Sequence, residues 1–267
     1  MPAEYVLAAL VSRIHTRTDS LALGKLSVTL LGAPEPPSVM PRALAAAIAD
    51  VVPCVAHLPL TIGSLNARPW VPRKDYGVNR LRSGPLQLAP GTTVVLDETA
   101  LSAGQLGETG VRNVHALQEM VGVQELEYDF QYHQMRVPVD VPVIVVSPSV
   151  STGSVIQNTD VKVPLRMTSE PGESPALDPE TAKAMRTFLA CARGSDHTIG
   201  KDASADIEAA MVAARQGEEK ATQEQFHRWL TMARLWALSS GVTDLTIQHW
   251  RHVMECQRKV DERLRTC

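Results

Sequence analysis

The segment Gly91–Ala100, GTTVVLDETA, constrains the fold of this 267-residue chain more than any other feature. Its apolar and β-branched residues run directly into Asp97 and Glu98, which is typical of a buried strand that ends in two carboxylates. In nucleotide hydrolases, one carboxylate of such a pair serves Mg²⁺ and the other serves the attacking water. The segment therefore predicts either a nucleotide hydrolase or a protein that keeps this strand without the chemistry.

Further strands and helices alternate around this segment. Apolar runs predict strands at Leu26–Leu31, Thr92–Leu96 and Pro142–Val146, the last of them suited to burial on both faces. Helical patterns cover Tyr5–Arg17, Pro41–Val51 and Val111–Val121, and Leu58–Ile62 is a further candidate strand. A strand–helix–strand order favours an α/β sheet with crossover connections.

The last third of the chain has a different pattern. A region rich in Ser, Thr, Gly and Pro contains a predicted linker at roughly Met167–Asp178, so we expect an α/β domain over residues 1–170 and a helical domain over residues 171–267. Asp178 and Thr222 have the side chains that N-caps require. The four helices predicted after the linker are Pro179–Arg193, Ala203–Arg215, Thr222–Leu238 and Leu245–Arg265.

Composition excludes several classes of protein. The chain is 44% hydrophobic and 21% charged, with a net charge of −3, which gives no electrostatic reason to bind a phosphate backbone. No apolar run approaches the roughly 20 residues that cross a bilayer, and the N-terminal segment resembles an amphipathic helix more than a signal peptide. The four scattered cysteines predict free thiols in the cytosol or nucleus.

A phosphate-binding loop should precede the strand that ends at Asp97, and the only candidate is LSVTLLGAPEPPSVMPRAL, residues 26–44. A working loop of this kind has the motif GxxxxGK(S/T), with a second glycine, a lysine and a Ser or Thr at its end. Counted from Gly32 as the first glycine, these three positions hold Pro37, Ser38 and Val39. Proline offers no N–H to a phosphate, serine no positive charge and valine no metal ligand. We therefore expect no nucleotide cofactor and no catalytic residue.

The order of these segments resembles the AAA+ module of minichromosome maintenance (MCM) helicase subunits. Ser83–Glu98 is similar to the Walker B segment, Gln124–Val139 to an insert hairpin, and PVIVVSPS, which contains Ser147, to the sensor strand. The resemblance implies a degenerate AAA+ (P-loop NTPase-like) three-layer αβα body followed by an α-helical lid. It also places Glu224 where the family has a sensor arginine.

Five segments of the chain carry a closer resemblance: EYVLAALVSRIHTRTDSLALGKLSVTL (4–30), KDYGVNRLRSGPLQL (74–88), VVLDETALSAGQLGETGVRNVHAL (94–117), YDFQYHQM (128–135) and ARLWALSSGVTDLTIQHW (233–250). They resemble the mini-chromosome maintenance complex-binding protein family. This resemblance spans nearly the whole chain and corresponds to the C-terminal half of full-length members.

This resemblance implies a non-enzymatic nuclear factor that binds MCM helicase subunits. It would act in assembly, protection or chromatin release of MCM complexes during DNA replication and sister-chromatid cohesion, reaching chromatin only through MCM. It implies no direct sequence-specific contact with nucleic acid and none with a membrane. Two alternatives stay open: a cryptic ATPase or switch that uses Asp97 and Glu98 with a cation lent by a partner, and a structural scaffold whose contacts lie elsewhere.

Two segments stand out as candidate partner contacts: Lys74–Arg82, which is basic, and Tyr128–Met135, which is rich in tyrosine. The alternative for the first segment is a solvated loop, and the alternative for the second is a hairpin with a purely structural role. Asp129 and His133 share a face of the second segment, but no third metal ligand is evident, so we expect no metal site. The candidate contact residues are Lys74, Arg80, Arg82, Tyr128, Tyr132, His133 and Met135.

Overall fold

A computed structural model describes residues 1–18, 21–34, 38–148, 154–166, 177–196, 198–216 and 222–266. The helices are α1 (Pro2–Val11), α2 (Met40–Ala49), α3 (Ile62–Ala67), α4 (Glu108–Gly122), α5 (Pro179–Gly194), α6 (Lys201–Gln216), α7 (Gln223–Ser239) and α8 (Ile247–Thr266). The strands are β1 (Thr16–Arg17), β2 (Ala22–Leu23), β3 (Val28–Leu31), β4 (Val55–Pro59), β5 (Arg73–Asp75), β6 (Arg80–Arg82), β7 (Thr93–Asp97), β8 (Glu125–Asp129), β9 (Gln134–Pro138), β10 (Val143–Ser147), β11 (Val161–Pro164), β12 (Thr198–Ile199) and β13 (Asp244–Leu245).

Five strands form a parallel central sheet in the order β11-β3-β10-β7-β4. The strand β10 lies in the middle, where Ile144 is opposite Val28 of β3 on one side and Val95 of β7 on the other. The predicted α/β class and the three predicted strands of this sheet are thereby confirmed. Because the strands are parallel, crossover segments must connect them, and α2 and α4 lie in two of these connections.

Side chains of the central strands alternate between two hydrophobic clusters. Val94 and Leu96 of β7 belong to one cluster with Leu117 of α4, while Val95 belongs to the other with Ile48 of α2. This follows from the two-residue period of a strand, which turns successive side chains to opposite faces. Helices thus cover both faces of the sheet, an arrangement compatible with the expected three-layer αβα body.

The C-terminal helices pack against the α/β part of the chain. The Tyr5 ring of α1 meets the Trp236 ring of α7 edge-on, with centroids 5.6 Å apart. One hydrophobic cluster contains residues from α1, β3, α7 and α8, so it draws on both predicted domains, and the domain division at residue 170 stays a prediction. None of the described helices has the length and apolar character needed to span a membrane.

The predicted caps of the C-terminal helices are confirmed. The Asp178 side chain accepts hydrogen bonds from the backbone N–H groups of Glu180 and Thr181. Thr222 forms a reciprocal capping box with Gln225 at the start of α7. Both side chains accept hydrogen bonds from backbone N–H groups in the first turn of a helix, which have no acceptor within the helix.

Two predicted boundaries are wrong. The helix expected from Tyr5 to Arg17 ends at Val11, because Ser12 adopts an extended conformation and Thr16–Arg17 pairs with β2. The strand expected at Leu58–Ile62 ends at Pro59, since Thr61 caps α3 and Ile62 begins that helix. Most of the predicted linker, residues 167–176, lies outside the described residues.

Candidate functional site

The carboxyl ends of the five parallel strands meet at one edge of the central sheet, where α/β proteins bind ligands. Asp97 ends β7, Ser147 ends β10 and Gly32 follows β3, so the structure brings the predicted nucleotide-site residues to this edge. Ser38 and Val39 lie just before α2, whereas Pro37 lies outside the described residues. The carboxyl edge is therefore where a nucleotide would have to bind.

Asp97 is only 7% exposed and is engaged by its own chain. Its Oδ1 accepts hydrogen bonds of 2.9 Å from the Thr99 backbone N–H and 2.6 Å from the Thr99 hydroxyl. The other oxygen, Oδ2, lies 3.5 Å from His57 Nε2. The carboxylate thus stabilises the turn that leaves β7, as Asp side chains commonly do in turns.

Glu98 is 3% exposed and binds a distant segment. Its Oε1 accepts a 2.7 Å hydrogen bond from the Ser154 hydroxyl and a 2.9 Å hydrogen bond from the Ile156 backbone N–H. Both donors belong to the connection between β10 and β11. Activation of a water through Oε1 would require these buried hydrogen bonds to be exchanged, which is costly for buried donors.

Glu224 does not come near these carboxylates. It lines a cavity of about 510 Å³ with Lys25 and Asp160, which directly precede β3 and β11. Residues that precede parallel strands lie at the amino edge of the sheet, opposite the edge that holds Asp97 and Ser147. The structure therefore does not support the interpretation of Glu224 as a sensor residue beside a nucleotide.

A second sheet, with strand order β6-β5-β8-β9, unites the two predicted contact segments. The predicted hairpin is confirmed as the antiparallel pair β8 and β9, and β5 joins β8 in parallel where Arg73 faces Asp129. The hairpin tip is fastened to the basic segment by hydrogen bonds of 3.0 Å, from Tyr76 Oη to the Phe130 carbonyl and from Gln131 Nε2 to the Lys74 carbonyl.

We give the name hairpin surface to a set of solvent-accessible residues on this second sheet and its turns. Its large apolar side chains are well exposed, with Tyr132 at 84% and Met135 at 47%. The Tyr132 ring contacts the Tyr76 ring edge-on at 5.4 Å, and Lys74 Nζ lies 5.9 Å from the Tyr76 ring centroid. The hairpin surface consists of Lys74, Tyr76, Val78, Arg80, Leu81, Arg82, Tyr132, His133 and Met135.

Basic side chains surround a cavity of about 540 Å³ beside the hairpin surface, and Arg68, Arg73, Lys74 and Arg82 line it. Two of these cations have acidic partners: Arg73 Nε lies 3.3 Å from Asp129, and Arg82 Nη2 lies 2.6 Å from Asp75. The Val78 backbone N–H, with the charge of Arg82, lowers the pKa of Asp75.

The remaining predicted contacts are placed differently. Tyr128 packs against the second hydrophobic cluster and accepts a 3.1 Å hydrogen bond from Gln87, so its ring is only partly available to a partner. His133 is exposed and stacks on Phe130 with centroids 4.9 Å apart. Arg80 is exposed and has no ion pair within the described part of the chain.

Sequence reasoning missed two features. It did not find Tyr76, whose exposure depends on pairing between distant strands. It also missed a cluster in which ligand atoms of Glu4, His252 and Cys256 all lie within 4.8 Å of one another. The i,i+4 spacing of His252 and Cys256 on a predicted helix was the available signal, but nothing in the sequence points to Glu4.

The fold and the site together define an α/β protein with a parallel sheet, a strand end whose two carboxylates accept hydrogen bonds from the chain itself, and an exposed aromatic and basic surface. The chain belongs to the mini-chromosome maintenance replisome factor family, whose sequence model matches residues 1–264. This confirms the family resemblance carried by its sequence segments.

Curated relatives named mini-chromosome maintenance complex-binding protein agree with this membership. The Arabidopsis thaliana protein is 38% identical over 264 residues, which are 98% of this chain and 44% of the relative. The Gallus gallus protein is 34% identical over 278 residues (100% of this chain, 43% of the relative), and the Homo sapiens protein is 34% identical over 259 residues (94% and 40%). The chain thus spans about two fifths of the length of these relatives.

Proposed function

We propose that this chain binds subunits of the MCM complex and acts through that contact, without catalysis. Its relatives are named as binding proteins for this complex, and none of these names describes an enzyme. The observation that carries the proposal is the hairpin surface, where two of the segments that carry the family resemblance join in one solvent-accessible sheet.

The composition of the hairpin surface suits a protein partner. Tyrosine, methionine and arginine are enriched in protein interfaces, and Tyr132, Met135 and Arg80 are all exposed there. The Tyr76–Tyr132 contact and the hydrogen bonds at the hairpin tip fix the aromatic rings before binding, which lowers the entropy that an interface must overcome. The neighbouring cations complement acidic side chains of a partner.

A purely structural role for Asp97 and Glu98 supports the non-catalytic part of the proposal. Both carboxylates are buried and hydrogen-bonded to groups of this chain. In a partner-dependent ATPase, Glu98 would have to position a water while its Oε1 accepts hydrogen bonds from Ser154 and Ile156. A lent arginine or lysine would not free this oxygen.

The cellular role follows from the partner. We infer a nuclear factor that assists assembly, protection or chromatin release of MCM complexes in DNA replication, the cell cycle and sister-chromatid cohesion. Chromatin association would be indirect, through MCM, because a net charge of −3 offers little attraction to DNA. We further propose that the α/β body is related to AAA+ modules and imitates a neighbouring subunit in a ring-like contact.

The test is a titration of each purified MCM subunit with the purified 267-residue chain, with and without ATP. Tyr132→Ser should weaken binding to the recognised subunit at least tenfold, because this ring is 84% exposed in the free chain and contacts Tyr76 on the hairpin surface. Val212→Ser is the matched control: Val212 is 52% exposed on α6, away from the hairpin, and its replacement should leave affinity unchanged.

Each outcome is informative. Failure of every subunit to bind the wild-type chain would overturn the proposed function. Equal affinity of Tyr132→Ser and wild type would overturn the hairpin surface while leaving MCM binding intact. ATP turnover that appears only with an MCM subunit and disappears in Asp97→Ala would establish the ATPase alternative.

A further inference from the structure

Three side chains with metal-binding atoms meet where the two ends of the chain pack together. They are Glu4 of α1 and His252 and Cys256 of α8, and their ligand atoms all lie within 4.8 Å of one another. Among the described residues, no other group of three His, Cys, Asp or Glu side chains is this compact. The cluster is separate from both the carboxyl edge and the hairpin surface.

The best-defined pair in this cluster has the spacing of zinc ligands. His252 and Cys256 are four residues apart on α8 and therefore share a helix face, and His252 Nε2 lies 3.5 Å from Cys256 Sγ. Zinc binds nitrogen at about 2.0–2.1 Å and sulfur at about 2.3 Å, so a tetrahedral angle separates the two ligand atoms by about 3.5 Å. Both atoms can thus bind one ion without movement of the helix backbone.

We propose that Glu4, His252 and Cys256 bind a Zn²⁺ ion, with water in the fourth position. A thiolate, an imidazole and a carboxylate are the three protein ligand types that zinc uses, and the thiolate disfavours Mg²⁺ and Ca²⁺. Cys256 is 4% exposed, whereas Glu4 and His252 lie at the surface. The ion therefore reaches the thiol from the solvent side, between the carboxylate and the imidazole.

Neighbouring groups orient the ligands and set the pH dependence. The His252 ring packs on Trp236, with centroids 5.0 Å apart. Glu4 Oε2 lies 3.3 Å from the Met1 amino nitrogen. A bound metal ion would share the Glu4 carboxylate with this amino group or displace the amino group from it. Burial, followed by the charge of Glu4, raises the pKa of the Cys256 thiol. Zinc binding forms a Zn–S bond and releases the thiol proton to water, so affinity rises with pH.

A bound ion would connect the first helix of this chain to its last. Such a link requires α1 and α8 to be in contact, so zinc binds the folded state selectively and raises the unfolding temperature. The inference is independent of MCM binding, since none of the three ligands belongs to the hairpin surface.

The test uses the purified chain after removal of metals with a chelator. Co²⁺, which occupies zinc sites and absorbs light, should bind with one equivalent and give both the visible bands of a tetrahedral site and a thiolate-to-cobalt charge-transfer band. Zn²⁺ should displace it and raise the unfolding temperature of the wild-type chain. A triple variant, Cys54→Ser with Cys191→Ser and Cys267→Ser, keeps Cys256 as the only thiol and should retain the full charge-transfer band.

Two further variants assign the ligands. Cys256→Ser should abolish the charge-transfer band. His252→Gln should weaken Zn²⁺ binding by at least about 10-fold, since changes to groups that only orient a ligand already cost that much. Circular dichroism should show that both metal-free variants are folded. Because His252 is exposed, its variant tests the site even if Cys256→Ser fails to fold. The proposal is overturned if the triple variant loses the band, if His252→Gln binds Zn²⁺ as tightly as wild type, or if the wild-type chain binds no stoichiometric metal.

Discussion

The Glu98 carboxylate accepts a 2.7 Å hydrogen bond from the hydroxyl of Ser154, which lies 56 residues further along the chain. The same oxygen accepts from the Ile156 backbone N–H, and all three residues are buried. The second of the two carboxylates at the end of β7 therefore holds the connection that leads into β11. A side chain that positions a water in nucleotide hydrolases stabilises the fold here.

The first prediction concerns this stabilising role. Glu98→Ala should lower the free energy of unfolding by about 2 kcal/mol, because it removes the charged acceptor that two buried donors share and leaves them only their contacts with each other's residue, Ser154 with Ile156. Glu98→Gln should cost less than about 1 kcal/mol, since its carbonyl oxygen can still accept from Ser154 and Ile156. Urea unfolding monitored by circular dichroism measures both values.

Glu108→Ala is the matched control for this prediction. The Glu108 side chain is 81% exposed, and its pair with Arg112 is a surface pair on one helix. Its removal should change the free energy of unfolding by no more than about 0.5 kcal/mol. A loss in Glu98→Ala no larger than this would show that the buried hydrogen bonds contribute little.

Much of the fold could be predicted from local patterns. The strands around Val94 and Val143 consist of apolar and β-branched residues, which suit burial on both faces of a sheet. The caps Asp178 and Thr222 act on N–H groups two or three residues away, so they too are visible in the sequence. The end of α1 at Val11 was missed because apolar periodicity continues to Ile14, beyond the point where the backbone extends.

The candidate site was only partly predictable, because it depends on contacts between distant segments. Lys74, Arg82 and Tyr132 could be singled out by residue type, but not their union in one sheet, which requires β5 to pair with β8. The hydrogen bond between Glu98 and Ser154 could not be predicted either, because Ser154 lies in a polar stretch of sequence that carries no periodic pattern. Strand order and tertiary hydrogen bonds leave little local signal.

The second prediction concerns the charge of the hairpin surface. Arg80→Glu should weaken binding to an MCM subunit about five- to tenfold, chiefly through a slower association rate, because exposed charges steer encounter. The affinity of the wild-type chain should also fall as NaCl is raised, since exposed charges are screened within about 10 Å at 0.1 M salt. Surface plasmon resonance separates the two rates.

Arg42→Glu makes the same change of charge on α2 and serves as the control, because Arg42 is exposed and lies on a different element. Its effect on affinity should stay below twofold. Equal losses in the two variants would mean that net charge alone, and not the hairpin surface, governs association.

The third prediction concerns Tyr5, which is completely buried and has a hydroxyl without a hydrogen-bond partner in the described part of the structure. Tyr5→Phe should leave the free energy of unfolding unchanged or raise it by up to about 1 kcal/mol, because an unpaired buried polar group is removed. Tyr5→Ala should lower it by about 3–5 kcal/mol through the cavity left beside Trp236. A cost above 1 kcal/mol for Tyr5→Phe, measured by urea unfolding, would reveal a partner for the hydroxyl.

The last prediction concerns His15 and pH. Its Nε2 lies 3.2 Å from the guanidinium of Arg234, and burial, followed by the charges of Arg234 and Arg13, lowers its pKa below the ordinary 6.5. The unfolded chain therefore takes up a proton at His15 more readily than the folded chain does. Above about pH 6.5, His15 is neutral in both states and does not reduce the free energy of unfolding. As the pH falls from there toward the lower pKa of the folded state, protonation of the unfolded chain reduces the free energy of unfolding.

His15→Gln should make the decrease in unfolding free energy between pH 7.5 and pH 5.5 shallower. Part of the decrease should persist, because burial and His252 also lower the pKa of His249. Identical pH profiles for His15→Gln and wild type would show that protonation of His15 is not coupled to unfolding.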